Sequence, residues 1–166
     1  MDVQPDLLKL QDGRAVTALN WSQRRSELSD IIVPSEYGGM PPSGRVGEPV
    51  LFCSVSVRAW DGVVYETYEV RTTFAHGKEH RIKLSLWIPP GEGPFPVLLY
   101  GDGCWYMLRE EIVHHALERG NIVAVFDRTE AAADNSAHYR ETGLYRLYPE
   151  ASFGALSAWA WAYHRC

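Results

Sequence analysis

Residues 80–88, HRIKLSLWI, alternate between apolar and polar. Ile82, Leu84, Leu86 and Ile88 fall on one face, and Arg81, Lys83, Ser85 and Trp87 on the other. A period of two predicts a strand with one buried and one wetter face. Two further runs precede it, LFCSVSVRA (51–59) and VYETYEVRTTF (64–74), joined by Trp60-Asp61-Gly62-Val63. An Asp-Gly pair between such runs signals a hairpin, so the three segments predict an antiparallel meander. PPGEGPFP closes it as a rigid turn.

The pattern changes after Pro96. VLLY (97–100) is a continuous apolar run followed by Gly-Asp-Gly, which predicts a strand covered on both sides. Leu108, Ile112, Val113, Ala116 and Leu117 then recur at helical spacing, with Glu110 and Glu111 in the first turn and Gly120 as the stop. NIVAVF (121–126) is a second apolar strand. Strand, helix and strand at this spacing predict a parallel βαβ unit with a right-handed crossover.

Two helices flank these parts. WSQRRSELSDIIV (21–33) places Arg25, Leu28 and Ile32 on neighbouring turns, with Ser22 as N-cap and Pro34 as terminator. Residues 1–20 read as irregular, with a turn at Asp12-Gly13, and EYGGMPPSG as loop. A polar excursion from Asp127 to Glu150 leads into ASFGALSAWAWAYHRC, a helix with Ser152 as its expected cap. That helix carries Phe153, Leu156, Ala160 and Tyr163 on one side and Trp161 on another. Aromatic rings on more than one face predict burial on more than one side, so a further strand is expected to follow and complete the layer beneath it. The expected class is α/β, with antiparallel strands followed by a βαβα unit and the sheet incomplete. The expected division is residues 1–49, an N-terminal helix and irregular arm, and 50–166, the sheet-forming part.

Charge and composition narrow the function. The 166 residues carry a formal charge of −5 with no stripe of Lys or Arg, which argues against nucleic acid as a partner. No apolar stretch reaches the length of a membrane span, and MDVQPDLLKL lacks the basic start and apolar centre of a secretory signal, so the cytoplasm is the default expectation. Cys53, Cys104 and Cys166 are too few and too scattered for a disulfide framework.

Specific stretches carry a resemblance. WSQRRSEL followed by EYG and PP, the turn PPGEGPFPVLLYGDG, and above all LYRLYPEASFGALSAWAWAYHR resemble the N-terminal part of carbohydrate esterase family 15, from about Pro5 to the last residue. That family holds the glucuronoyl esterases and acetylxylan esterase-like bacterial proteins. The resemblance implies the N-terminal half of an α/β-hydrolase sheet and a serine mechanism without metal or cofactor. It also implies that the serine, acid and histidine, in that order, lie beyond Cys166. A polysaccharide ester would then be a substrate only of the complete enzyme. An uncovered helix face and sheet edge would favour self-association or a complementing C-terminal half. The alternative expectation is a non-catalytic carbohydrate-binding or partner-dependent module, its exposed aromatics stacking on sugar rings.

Candidate chemistry is sparse. No G-x-S-x-G elbow occurs, and Ser157 sits within the last helix, where its hydroxyl is expected to bond the preceding turn. The loop Gly101-Asp102-Gly103-Cys104 follows the first parallel strand, where related folds donate one backbone N–H to an oxyanion. The competing reading is a tight strand-to-helix turn, with Cys104 a packing residue. His76 and His80 have an i,i+4 spacing but no third ligand and flank a hairpin loop, so they are expected at the surface. His114 and His115 are read as a solvated helix edge, and His138 and His164 carry no assignment. The acidic residues of FDRTEAAADN (126–135) have two readings. One is an acid/base pair, with Asp127 at the end of a parallel strand, where ligands gather. The other is ion pairs of Asp127 or Glu130 with Arg128 or Arg140 that hold the excursion, and this second reading is the expected one. Trp21, Arg24 and Arg25 are expected to anchor the first helix.

Overall fold

The computed structural model describes residues 6–105 and 108–166; Met1 to Pro5, where the resemblance begins, lie outside the described residues. Its centre is a mixed sheet of β1 (Arg45–Val46), β2 (Val50–Ser56), β3 (Val64–Thr73), β4 (Glu79–Ile88), β5 (Val97–Tyr100) and β6 (Ile122–Phe126). The order is β1-β3-β4-β6-β5, with β2 also on β3. β3 and β4 pair antiparallel over their full length, from Val64 opposite Ile88 to Thr73 opposite Glu79, as the alternation predicts. β5 and β6 are parallel, from Val97 opposite Ile122 to Tyr100 opposite Val125. β1 has too short a pattern to announce itself in the sequence.

Alternation along β6 splits the core into two. Ala124 and Phe126 face α3 (Ala155–Tyr163) together with Val70, Ile82, Leu84, Ala158 and Trp161. Val123 faces the other way, toward Val113, Ala116 and Leu117 of α2 (Glu110–Glu118). The two helices therefore cover opposite faces of the parallel strands.

The polar excursion is more buried than its composition suggests. Leu144 and Tyr145 of the LYRLY run are 0% and 1% exposed, and the Tyr145 hydroxyl donates to Phe153 O at 2.8 Å. Gly143 has φ +52°, and a Cβ there would lie 2.1 Å from Ala131 O, so only glycine fits this turn.

Several expectations are corrected. Helix α1 runs Trp21–Tyr37, straight through Pro34, and ends on the left-handed Gly38. Pro34 removes one amide donor, while the Ser35 hydroxyl donates to Ile31 O at 2.6 Å and satisfies a carbonyl of that turn. Position N-cap is Asn20, not Ser22, and the buried α1 residues are Arg24 and Leu28; Ile32 is exposed. VLLY is not covered on both sides: β5 is the edge of the sheet, and Val97 and Leu98 are more than half exposed. Ile112, assigned to the apolar stripe of α2, points to solvent. α3 begins at Ala155 after Gly154, and the Ser152 hydroxyl donates to Gly38 O instead of capping it.

The arm preceding β2 is held against α3. Gly154 N–H donates to Tyr37 O at 2.8 Å, and Trp161 Nε1 donates to Pro42 O at 2.9 Å. On α3 the covered face is Ala158, Trp161 and Ala162; Leu156, Ala160 and Tyr163 form an outward face, with Leu156 59% exposed.

Candidate functional site

Ligands of open α/β sheets gather at the C-terminal ends of the parallel strands, where flanking helices switch faces. Here that position is the end of β5 and β6, and it is occupied by Gly101-Asp102-Gly103-Cys104. The loop is fixed by its backbone. Gly101 O accepts from Arg128 N–H at 2.8 Å, Asp102 forms an isolated bridge with Asp127, and Trp105 N–H donates to Asp102 O at 3.0 Å.

Both glycines are required by contact. A Cβ on Gly101 would lie 2.6 Å from the Tyr163 ring and hydroxyl and 2.8 Å from Phe126, and a Cβ on Gly103 would lie 2.8 Å from Phe126 O. The Gly101 N–H donates to Tyr163 Oη at 2.9 Å, which ties the loop to the last turn of α3.

The charged groups beside the loop arrange differently from the sequence expectation. Arg128 pairs with Asp102 and, at 3.1 Å, with Asp134, and its guanidinium stacks 3.9 Å above Trp159. Burial pulls the Arg128 pKa down, but the two carboxylates more than offset it, so its charge is reinforced. Asp127 accepts from Thr129 N–H at 2.7 Å and from the Thr129 hydroxyl, capping the short turn Arg128–Glu130. Glu130 accepts from Lys83 N–H at 2.9 Å, and burial raises its pKa. Arg140 gives its side chain to Ala151 O. Neither Asp127 nor Glu130 therefore pairs with Arg128 or Arg140: strand geometry turns the arginine toward Asp102 and the excursion's own Asp134.

Burial, the hydrogen bond to Asp127 and that carboxylate's charge all push the Cys104 thiol up. A raised thiol pKa disfavours the thiolate a nucleophile needs, which supports the packing reading. An apolar cavity of about 330 Å³ touches the loop, walled by Trp60, Trp87, Tyr100, Gly103, Leu108 and Val113.

Ser157 is 2% exposed and donates to Gly39 O at 2.7 Å, so it staples α3 to the arm 118 residues away rather than bonding its own preceding turn. Among the described residues no serine hydroxyl hydrogen-bonds a histidine. His76 is exposed and binds Lys78 N–H. His80 is not a surface residue: its ring packs edge-on to Trp161 at 5.6 Å, because β4 turns it to the same face as Ile82. Its pKa is pulled down to about 4 by burial. His114 and His115 lie on an exposed edge beside Glu118, His138 beside Glu141, and His164 is exposed. Of the trio Trp21, Arg24 and Arg25, only Arg24 is an anchor. It is 3% exposed and bonds Glu27 at 2.9 Å and Asp6 O at 2.7 Å.

Tyr163, Trp159 and Asp134 were not singled out for this loop by the sequence. Their spacing along the chain holds no signal for it, since they meet Gly101 and Arg128 only through the packing of α3 and the excursion.

A mixed sheet of this order, with helices on opposite faces and a glycine loop at the switch point, defines the first half of an α/β-hydrolase. The glucuronyl esterase model described for fungi matches residues 72–166, from the end of β3 through α3, and the chain belongs to that family. It is 27% identical over 169 residues to 4-O-methyl-glucuronoyl methylesterase 1 of Wolfiporia cocos (strain MD-104), covering 99% of this chain and 38% of that protein. It is likewise 27% identical to 4-O-methyl-glucuronoyl methylesterase of Cerrena unicolor, covering 97% of this chain and 32% of that one. Among solved structures, a CE15 glucuronoyl esterase from Teredinibacter turnerae T7901 superposes with a TM-score of 0.75 at 19% identity, over 97% of this chain and 45% of that one. A glucuronoyl esterase from Solibacter usitatus gives 0.74 at 20%, over 99% and 52%. The chain thus spans about a third of the length of the curated relatives and about half of the solved structures. Among the described residues no helix is long and apolar enough to cross a membrane.

Proposed function

We propose that this chain forms the N-terminal part of a serine carboxylic ester hydrolase acting on plant cell-wall polysaccharide, at a glucuronoyl ester or an acetyl group. The observation that carries the reading is the family match across β4, the βαβ unit and α3, with the glycine loop set at the switch point. In this reading the loop Gly101–Cys104 donates a backbone N–H to the oxyanion of an acyl-transfer intermediate. Because the Gly101 amide is given to Tyr163, the donor falls to a later amide of the loop.

The nucleophile, acid and histidine then belong to a segment that follows α3. Since α2 and α3 lie on opposite faces, a right-handed crossover through α3 runs back past β6 and lands on the open edge of β5. That places the end of the arriving strand, where a serine elbow forms, beside Gly101–Cys104. The outward face of α3, Leu156, Ala160 and Tyr163, would be covered by the same addition.

The 166-residue chain is accordingly expected to be inactive by itself. Purified protein is assayed with a benzyl ester of glucuronic acid and with nitrophenyl acetate against a catalyst-free blank, and turnover above the blank would overturn this expectation. The nucleotide sequence after the Cys166 codon, read in three frames, is expected to encode a strand and a serine elbow.

A further inference from the structure

The hairpin loop between β2 and β3 lays a tryptophan along the side of α2. Three backbone bonds close the loop: Val57 N–H donates to Val63 O at 2.9 Å, and Trp60 N–H to Val57 O and Val63 N–H to Trp60 O at 3.1 Å each. Gly62 has φ +71°, and a Cβ there would lie 2.8 Å from the Pro90 ring, so only glycine lets the loop close on the turn after β4. Trp60 is half-buried on a core that includes Val63 and Leu117, and its ring meets that of His114 at 5.6 Å.

A depression opens on each side of the Trp60–His114 pair. One, of about 250 Å³, has the buried Val63 and Leu117 as its floor, Pro90 as a wall, and the exposed Asp61 and Glu118 at its rim. His114 Nδ1 stands 3.5 Å from Glu118 and holds that carboxylate beside the ring pair. The other, of about 620 Å³, lies toward the start of α2, among Glu110, Glu111 and His115. Together they follow the nine residues of the helix, about 13 Å. Among the described residues no Lys or Arg lines either depression.

We infer that this flank of α2 is a binding groove for an uncharged glycan chain, with Trp60 stacking on one sugar ring and the rim accepting from sugar hydroxyls. A pyranose ring presents an apolar C–H face, which suits the negative face of an indole, and an edge of hydroxyl donors. Asp61 and Glu118 supply acceptors from two different elements. With no basic side chain in the lining, the groove repels a free uronate and takes uncharged stretches of chain. Two adjoining depressions along a helix fit a linear polymer better than a single ring. The buried floor suits a ring face better than it suits a strongly hydrated ammonium, which favours a glycan over a basic peptide. The choice of a glycan rests on the polysaccharide reading above.

Xylohexaose titrated into the full chain, followed by calorimetry and tryptophan fluorescence, tests the groove. Saturable binding that rising salt leaves unchanged is expected. Trp60→Ala is expected to weaken it about tenfold, and Trp60→Phe less. Asp61→Ala with Glu118→Ala, both at exposed positions, is expected to weaken it about threefold, which keeps the test open if Trp60→Ala fails to fold. Hexagalacturonate, with a carboxylate on every ring, is expected not to bind. Trp105→Ala, at the exposed tryptophan beside the glycine loop, is expected to bind as the native chain does. Absence of saturable binding, affinity untouched by both the Trp60 and the Asp61/Glu118 changes, equal binding of hexagalacturonate, loss through Trp105→Ala, or a preference for hexalysine that fades with salt would each overturn the inference. Ester turnover enters none of these measurements, so the groove can fail while the esterase reading stands, and the reverse.

Discussion

Replacing Gly101 with alanine probes the contact that joins the loop to α3. The new methyl carbon would lie 2.6 Å from the Tyr163 ring and 2.8 Å from Phe126, about 1 Å inside ordinary contact. Tyr163 is 39% exposed and can swing outward, but Phe126 is 2% exposed and has no room to yield. Moving the tyrosine breaks its hydrogen bond to the Gly101 amide, about 1 kcal/mol. It also disrupts the edge-on pair with Phe126, centroids 4.8 Å apart, about 0.5–1.5 kcal/mol. Overpacking against Phe126 adds about 1–3 kcal/mol. The expected loss is roughly 3–5 kcal/mol, a large share of the roughly 5–15 kcal/mol of a whole domain. Urea unfolding at fixed protein concentration, followed by tryptophan fluorescence, measures it through the midpoint and slope. Tyr163→Phe should cost only about 1 kcal/mol, having lost the hydroxyl alone. In a Tyr163→Ala background, the alanine at 101 should cost about 1–2 kcal/mol less than in the native chain, because one of its two obstacles is gone. A Gly101→Ala protein within about 0.5 kcal/mol of the native one, or a cycle without coupling, would refute the packing argument.

Two further outcomes follow from the same neighbourhood and from β4. Arg128→Met removes the partner of Asp102 and Asp134 and is expected to cost about 1–3 kcal/mol in urea midpoint and to speed amide exchange at Gly101 and Gly103; Arg128→Lys should rescue little, since it lacks the planar group that stacks on Trp159. His80 is held neutral by burial with a pKa of about 4, below its unfolded value, so the unfolded chain binds the extra proton first. Stability is therefore expected to be complete above pH 6.5 and to fall by up to about 3 kcal/mol as pH drops toward 4, and His80→Phe should flatten that part of a pH-dependent urea series.

Much of the site's frame was legible, and the failures have physical causes. Period-two alternation revealed β4 because one of its faces lies on the core, and the Asp-Gly hairpin signal revealed β3 beside it. β5 was misplaced because a continuous apolar run looks the same at the centre of a sheet and at its edge; exposure there depends on which strand arrives next, not on the run itself. Pro34 was read as a helix end because proline removes an amide, but the loss is small in a last turn whose carbonyls already find Ser35 and the Gly38 cap. The glycine loop was legible as a candidate because it follows a strand. Its clamp was not, because Arg128 chooses between carboxylates by direction in space.

The order of residues by itself determined the longer strands and helices, though not their ends or the two-residue β1, together with the antiparallel-then-parallel layout and the family. These rest on local periodicity, turn chemistry and runs such as LYRLY and GALSAWAW, all of which act over a few neighbouring residues. Tertiary structure alone decided which edges stay open, which face of α3 is covered, and that Tyr163 and Arg128 hold Gly101-Asp102. The clamp joins residues 26 and 62 positions apart and the arm meets α3 across 118 positions, and a contact over such separations exists only after the chain has closed on itself.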